Sequence, residues 1–224
     1  MKNKFRRSEL MLALLAASSL SAAELQPRGY KIPTIDLSAQ KHRQVIVDRE
    51  KGQYLGHPTT VLLEDGKTML IVYPKGHGRR GIVYKRSADG GKTWSKRLPT
   101  PASWATSREV PTLHRVVDAN GKKRLIMWSG LYPARLAVSE DDGAKWSELK
   151  PAGDWGGIVV MGCLEELETG NGHYLAMFHD DGRFFAKGGK RANPIVFNLY
   201  KTFSKDGGLT WSKPESIFAR SDVH

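Results

Sequence analysis

One short pattern occurs three times in the sequence and limits the folds that the chain can adopt. The pattern is Ser-x-Asp-x-Gly-x-x-Trp, and all four fixed positions match in every copy. In such a turn the aspartate accepts hydrogen bonds from backbone N–H groups, while the glycine adopts a conformation that is costly for other residues. The tryptophan anchors the turn by packing between sheets. The copies are Ser87, Asp89, Gly91 and Trp94; Ser139, Asp141, Gly143 and Trp146; and Ser204, Asp206, Gly208 and Trp211.

The spacing of the copies predicts a repeated unit of four antiparallel strands. The copies start 52 and 65 residues apart, which suits a four-stranded blade with its loops. A run rich in β-branched and aromatic residues precedes each copy, and a hairpin pattern with a glycine-containing turn precedes that run. The predicted strands are residues 59–64, 68–73 and 81–86; 112–117, 124–128 and 134–138; and 159–167, 174–178 and 194–200. A fourth, short extended stretch follows each tryptophan, and no helical layer is predicted.

These motifs resemble the Asp-boxes of the sialidase superfamily, the bacterial neuraminidase repeat proteins, whose members are six-bladed β-propellers. The resemblance covers residues 54–213. It implies an all-β fold, with about three blades at residues 54–100, 105–152 and 156–215 of a partial propeller at 51–224. Six blades at this spacing need a longer chain, so this one is expected to be a fragment. The alternative is that two or more copies associate to complete a ring, and the oligomeric state is left open.

The N-terminus has the pattern of a secretory signal peptide at residues 1–23. Four basic residues precede an apolar run at residues 10–20, and small residues follow at 21–23. A membrane anchor is the alternative, but the run is shorter than the about 20 apolar residues that span a bilayer. We therefore expect an exported protein, periplasmic or secreted, without a membrane span. Residues 24–50 form a lead-in segment.

The chain is basic and contains a single cysteine, Cys163, so it cannot form an intrachain disulfide. Its formal net charge is +12, and loss of residues 1–23 removes four bases and one acid, which leaves +9. A positive surplus attracts anionic partners. Acidic glycans suit an exported protein better than nucleic acid does, although the surplus could also reflect a merely soluble surface. The sequence has no glycine-rich phosphate loop, and no cofactor is predicted.

The resemblance also implies where a site would lie. In the sialidase family the boxes occupy the face opposite the active site, so the twelve box residues listed above are expected to be structural. The opposite face would be lined by the entry to each innermost strand and by the loop between the second and third strands. The entries are residues 54–57, 107–109 and 160–162, and the loops are residues 74–80, 129–133 and 179–183.

These segments are rich in ionisable side chains. Histidine carries protons near neutral pH, and a guanidinium can bind a carboxylate through two parallel hydrogen bonds. The predicted acid/base residues are His57, His77, Glu109 and Asp180. The predicted substrate-binding residues are Lys75, Arg79, Arg80, Arg108, His179 and Asp181. A metal site at His57, His77 and His179 is conceivable, but their spacing is not a recognised ligand signature, so no metal is predicted.

The sequence departs from the sialidase pattern in two places. Sialidases resemble one another in using three arginines, a tyrosine nucleophile with a glutamate, and an aspartate acid/base. The first arginine of the family belongs to a Phe/Tyr-Arg-Ile-Pro motif, whereas residues 54–58 read Tyr-Leu-Gly-His-Pro, and the loop at 75–80 contains no carboxylate. The standard sialidase mechanism is therefore in doubt for this chain.

Three functions are compatible with these residues. The first is a sialidase-like glycoside hydrolase acting on the terminal acidic sugars of glycans. The second is a non-catalytic glycan-binding propeller. The third is a polysaccharide lyase, in which a histidine or tyrosine would remove the proton next to the carboxylate of a uronic acid.

Overall fold

The structure of the protein is a computed structural model, which describes residues 33–108, 110–168, 170–185 and 193–220. The predicted signal peptide, residues 24–32 of the lead-in segment and Glu109 lie outside these residues. The chain forms two units, one up to Lys41 and one from His42 onwards. In the first unit a turn is closed by the N–H of Ser38, which donates to Asp36. No helix within the described ranges has the length and apolar character needed to cross a membrane.

The described residues of the second unit form three antiparallel sheets, which follow one another in chain order. Apart from them, two short 3-10 helices are described, at Lys41–Arg43 and Ala102–Thr106. Sheet I contains β1 (Thr59–Leu62), β2 (Met69–Pro74) and β3 (Ile82–Ser87). Sheet II contains β4 (Thr112–Val117), β5 (Lys123–Ser129), β6 (Arg135–Ser139) and β7 (Lys150–Pro151). Sheet III contains β8 (Val159–Glu168), β9 (His173–Asp180), β10 (Phe197–Ser204) and β11 (Glu215–Arg220).

The all-β prediction is confirmed, and most predicted strands match to within two residues. The largest error is β10, which begins at Phe197 and continues to the box serine, whereas residues 194–200 were expected. Pro194 has no N–H to donate to a ladder, so the strand begins after it. Sheet I also lacks the predicted fourth strand among the described residues. Ser95 and Leu98 donate backbone hydrogen bonds to β3, but the next residue is a proline and the pairing stops there.

The hydrophobic core lies between successive sheets. Leu70 of sheet I packs in one cluster with Leu125 and Met127 of sheet II. The side chain of Ile126 points to the opposite face of sheet II, because side chains alternate along a strand, and it packs with Ala176 of sheet III. The sheets therefore stack face to face in chain order. Such stacking is expected of neighbouring propeller blades, while the number of blades and the closure of a ring remain predictions.

The three boxes form the same turn at the end of the third strand of each sheet. The serine hydroxyl donates to the aspartate Oδ1 at 2.8, 2.9 and 2.8 Å and accepts the glycine N–H at 2.9 Å in every copy. The same Oδ1 also accepts the backbone N–H of the residue four positions after the aspartate, which is Thr93, Lys145 or Thr210. Each box therefore satisfies its own backbone donors and fixes the direction in which the chain leaves the sheet.

The second box also packs on the preceding sheet. The hydroxyl of Tyr84 in sheet I donates to the carbonyl of Gly143 at 2.7 Å, and the ring of Trp146 lies 6.2 Å from that of Tyr84. A Cβ at Gly143 would lie 2.5 Å from Leu70 of sheet I. The third box repeats the arrangement, because Trp211 lies 5.2 Å from Trp128 of sheet II. The boxes thus link neighbouring sheets at one end, which we call the box end.

Replacing the glycine of the second box tests this packing. Gly143 has φ of +79°, and Gly66, in the β1–β2 turn, has φ of +67° with no atom near its missing Cβ. Alanine at either position meets the left-handed backbone penalty of about 1–2 kcal/mol. Only Gly143→Ala must also displace Leu70, which should lower the free energy of unfolding by a further ~1–3 kcal/mol. Urea unfolding should show this difference in the free energy of unfolding, and equal losses would contradict the interlocking of the sheets.

Acid should weaken the turns before it affects the core. The hydroxyl and N–H of Thr93 donate to Asp89 and lower its pKa from 3.8 to about 2, and Thr68 does the same for Asp65. The stability that these carboxylates contribute is complete above the unfolded pKa and is lost as the pH falls through the folded pKa. The urea midpoint should therefore fall between about pH 4 and about pH 2. Asp89→Asn should make this fall smaller, and a variant with an unchanged pH dependence would exclude Asp89 as a contributor.

Candidate functional site

Two adjoining cavities lie at the ends of the sheets opposite the boxes, which we call the loop end. The arginine cavity, of about 560 Å³, is lined by Thr106, Arg108, Gly130, Leu131, Tyr132, Pro133, Arg135, Arg183 and Phe184. The histidine cavity, of about 430 Å³, is lined by His77, Gly78, Leu131, Ile158, His179, Asp181, Arg183, Phe184 and Phe197. Three residues line both cavities: Leu131, Arg183 and Phe184. These cavities combine loops from all three sheets.

Three guanidinium groups meet at the arginine cavity. Arg108 is exposed in the segment before β4. Arg135, at the start of β6, donates to the hydroxyl and the carbonyl of Thr106 at 2.7 and 3.1 Å, and burial lowers its pKa. An arginine nevertheless remains cationic in proteins. The Nε of Arg183 donates to both oxygens of Asp181 at 2.9 and 2.8 Å, which fixes the plane of its guanidinium.

Backbone contacts form the wall between the cavities. Leu131 has φ of +68° and exchanges two backbone hydrogen bonds with Gly157, at 2.6 and 3.1 Å. The N–H of Gly156 donates to the carbonyl of Phe185 at 3.1 Å. A Cβ at Gly156 would lie 1.8 Å from the carbonyl oxygen of Phe184, so only glycine fits at this position. The loop of sheet II, the entry to sheet III and the loop of sheet III are therefore held together by their main chains.

The structure brings His57 and His77 together, as expected for an inner-strand entry and a loop of the same sheet. Their ring centroids are 4.7 Å apart, and the ring of Tyr54 lies 6.1 Å from His57 and 6.5 Å from His77. Both histidines are exposed. His57 has φ of +50°, a left-handed conformation that is uncommon outside glycine and is concentrated at functional sites.

The loop that carries His77 is fastened to the segment before β1. Lys75 forms an ion pair with Glu50 at 3.1 Å, and Arg80 donates to the side chain of Gln53 at 2.7 Å. Lys75 and Arg80 were candidates for substrate binding, but neither lines the two cavities, and their contacts position the loop. Arg79 is exposed and also lies outside the cavity linings.

The predicted carboxylates of the third loop are buried. Asp180 is 0% exposed, accepts the N–H of Phe184 at 3.2 and 3.3 Å and is not among the residues that line the arginine and histidine cavities. Burial raises the pKa of its carboxyl. Asp181 lines the histidine cavity but is 1% exposed and bonds to Arg183. His179 lines the same cavity beside Phe197, with ring centroids 5.7 Å apart, and burial lowers its pKa. Glu109 lies outside the described residues.

The sequence analysis did not identify Arg135 and Phe184 as lining residues, whereas Tyr132 and Arg183 lie in the predicted loops at 129–133 and 179–183 without having been assigned to substrate binding. Arg135 lies in a run that predicts a strand, and its place as the first residue of β6, next to a loop, is the signal that would have found it. Three tryptophans outside the boxes are core residues: Trp104, Trp128 and Trp155. Across the described part of the chain, no three His, Cys, Asp or Glu side chains form a group that could hold a metal ion.

A third cavity, of about 580 Å³, lies at the box end. Its charged side chains are largely satisfied within the protein. Lys123 pairs with Glu64 at 2.6 Å, and Arg86 donates to the carbonyl of Asp142 at 2.8 Å. Ion pairs of this kind leave fewer groups for a ligand, so the loop end is the better candidate for a functional site.

Several solved structures share this fold, and they include the following two proteins. One is an α-L-arabinofuranosidase from Fusarium graminearum in complex with an iminosugar inhibitor, with 17% identity and a TM-score of 0.51 over 76% of this chain and 50% of that chain. The other is a protein of unknown function from Dyadobacter fermentans, with 16% identity and a TM-score of 0.50 over 75% of this chain and 56% of that chain. This chain therefore spans about half the length of each.

The comparison with curated proteins gave no match. The model of one protein family, described as a BNR repeat-like domain, matches residues 35–221, a range that includes all three boxes and all three sheets. By this match, the chain belongs to the BNR repeat-like domain family.

Proposed function

We propose that this chain acts on glycans that contain an acidic sugar, which it binds in the arginine cavity. The observation that carries the proposal is the meeting of Arg108, Arg135 and Arg183 at one cavity. A guanidinium offers paired N–H donors that match the two oxygens of a carboxylate. Three such groups around one space favour an anionic ligand, and the positive net charge of the chain adds long-range attraction.

The remaining lining of the arginine cavity suits a sugar ring. Tyr132 and Phe184 present aromatic side chains beside the guanidinium groups, and the carbon of the Arg183 guanidinium lies 4.8 Å from the centre of the Phe184 ring. A pocket that combines apolar surface with a few convergent polar groups is typical of small-molecule sites. The fold shared with an arabinofuranosidase, an enzyme named for its action on a sugar, also supports a glycan ligand.

Hydrolysis of a terminal acidic sugar, as in sialidases, is the first reaction we propose. Glycoside hydrolysis generally uses two carboxyl groups, one as acid and one as base or nucleophile. At the loop end, the described carboxylates Asp180 and Asp181 are buried and bonded within the protein. The exposed titratable groups there include His57 and His77, and we propose that these histidines carry the protons.

Elimination is a second candidate, and the pairing of His57 with His77 beside Tyr54 favours it. In this reaction a base takes the proton next to the carboxylate of a uronic acid. The electron pair of that C–H bond forms a carbon–carbon double bond as the glycosidic C–O bond breaks, and the leaving oxygen takes up a proton. The arginines would hold the carboxylate, and no nucleophilic carboxylate is needed.

We also propose export, since acidic glycans are abundant outside cells.

Removing one guanidinium tests acidic-sugar binding. Arg135→Ala should weaken the binding of glucuronic acid about tenfold to a hundredfold, because hydrogen bonds to charged groups contribute about 1.5–3 kcal/mol. Arg115→Ala is the matched control: Arg115 is exposed, lines the cavity at the box end and carries the same charge. Isothermal titration calorimetry measures both affinities. Equal losses would show that net charge alone attracts the acid, and the proposed site would then be wrong.

Replacing the histidines tests the chemistry. His57→Gln and His77→Gln should each lower turnover about 100-fold to 10,000-fold, the usual contribution of a general acid or base. His173→Gln is the control, because His173 begins β9 at the end of the strand away from the loop end. A fluorogenic sialoside reports hydrolysis, and the ultraviolet absorbance of an unsaturated product from uronic-acid polymers reports elimination. Unchanged turnover would remove the histidines from the site, and binding without turnover would leave a glycan-binding protein.

A further inference from the structure

The two cavities at the loop end differ in charge although they share a wall. The arginine cavity is lined by three arginines, whereas Arg183 is the one arginine among the residues that line the histidine cavity. Burial lowers the pKa of His179 in the histidine cavity, which favours the neutral form of its imidazole. Ile158 and Phe197 add apolar surface there. The arginine cavity therefore suits an anionic group, and the histidine cavity suits a neutral ring.

Each cavity is large enough to be a separate binding site. Their volumes of about 560 and 430 Å³ both lie within the range of about 300–1,000 Å³ that is usual for small-molecule pockets. The wall between them is held by main-chain hydrogen bonds of Leu131 and Gly157 and by the close approach at Gly156. Such a wall does not have to form when a ligand binds, so both cavities are available to one ligand.

Arg183 lies where the two cavities meet. Both oxygens of the buried Asp181 hold its Nε, and Phe184 lies below its guanidinium. Among the described residues no further hydrogen-bond partner of this guanidinium occurs, so its two terminal amino groups remain for a ligand. A linkage between two sugars is rich in oxygen acceptors, and it would lie within reach of a donor placed at this boundary.

We infer that the site takes two linked sugar units, an acidic sugar in the arginine cavity and its neutral neighbour in the histidine cavity, with Arg183 at the linkage. The inference rests on the proposed function and narrows it. The substrate would then be an oligosaccharide or polysaccharide in which an acidic sugar is joined to a neutral one. A free acidic monosaccharide would fill only half of the site.

The test compares two ligands that carry the same charge. Glucuronic acid would occupy the arginine cavity alone, and cellobiouronic acid, a disaccharide of glucuronic acid and glucose, would occupy both. Calorimetry with the full chain should show about tenfold tighter binding of the disaccharide, because a second ring is buried against Phe197. The disaccharide with the two sugars in reverse order covers the opposite polarity, and a gain with either one supports the inference.

Variants on each side of the wall separate the two cavities. Phe197→Leu removes no charge. It should reduce the extra affinity that the disaccharide has over glucuronic acid, and it should leave the affinity for glucuronic acid itself unchanged. Ile158→Ala is a second variant with the same expected result, in case Phe197→Leu fails to fold. Arg135→Ala should lower the affinity for glucuronic acid and for the disaccharide by the same factor. Thermal unfolding confirms that each variant retains the fold.

The outcomes distinguish the inference from the function on which it rests. Suppose that glucuronic acid binds and that its binding depends on Arg135. The two-sugar site is then wrong if neither disaccharide binds more tightly than glucuronic acid, or if the variants at Phe197 and Ile158 leave the affinity for both disaccharides unchanged. The acidic-sugar site stands in either case. If no acidic sugar binds, the proposed function fails and the two-sugar site fails with it.

Discussion

The structure depends on one hydrogen-bonded turn, repeated in each sheet. A serine hydroxyl links an aspartate to the glycine two residues further on, and this geometry is the same in all three copies to within 0.1 Å. Gly143 of the second box also lies against Leu70 and Tyr84 of the preceding sheet, at a distance that admits no Cβ. The turn therefore determines how neighbouring sheets stack, and the stacking places all three loops at the opposite end.

The two ends of the sheets differ because their constraints differ. At the box end, turn residues satisfy their own backbone and pair with neighbouring charges, as Lys123 does with Glu64. At the loop end, a few main-chain contacts around Gly156 hold the loops, and exposed cationic side chains remain. Left-handed backbone occurs there at His57 and Leu131, two positions that line or adjoin the cavities. Such conformations are costly and persist where the surrounding structure holds them in place.

The sequence was sufficient to predict the sheets but only part of the site. Strands and boxes are local patterns, so their positions could be read from residues near in the chain, with errors where Pro194 or the proline after Leu98 interrupts a ladder. The approach of His57 to His77 followed from one hairpin. The burial of Asp180 and the position of Arg135 depend on contacts between different segments, which a single sequence does not reveal.

The arginines at the loop end are proposed to bind the acidic group of a glycan. A crystal structure of the chain with bound glucuronic acid would test this proposal, because it locates the carboxylate. We expect the carboxylate oxygens to lie within hydrogen-bonding distance of the guanidinium groups of Arg135 and Arg183. A sugar bound in the cavity at the box end, with the arginine cavity empty, would contradict it.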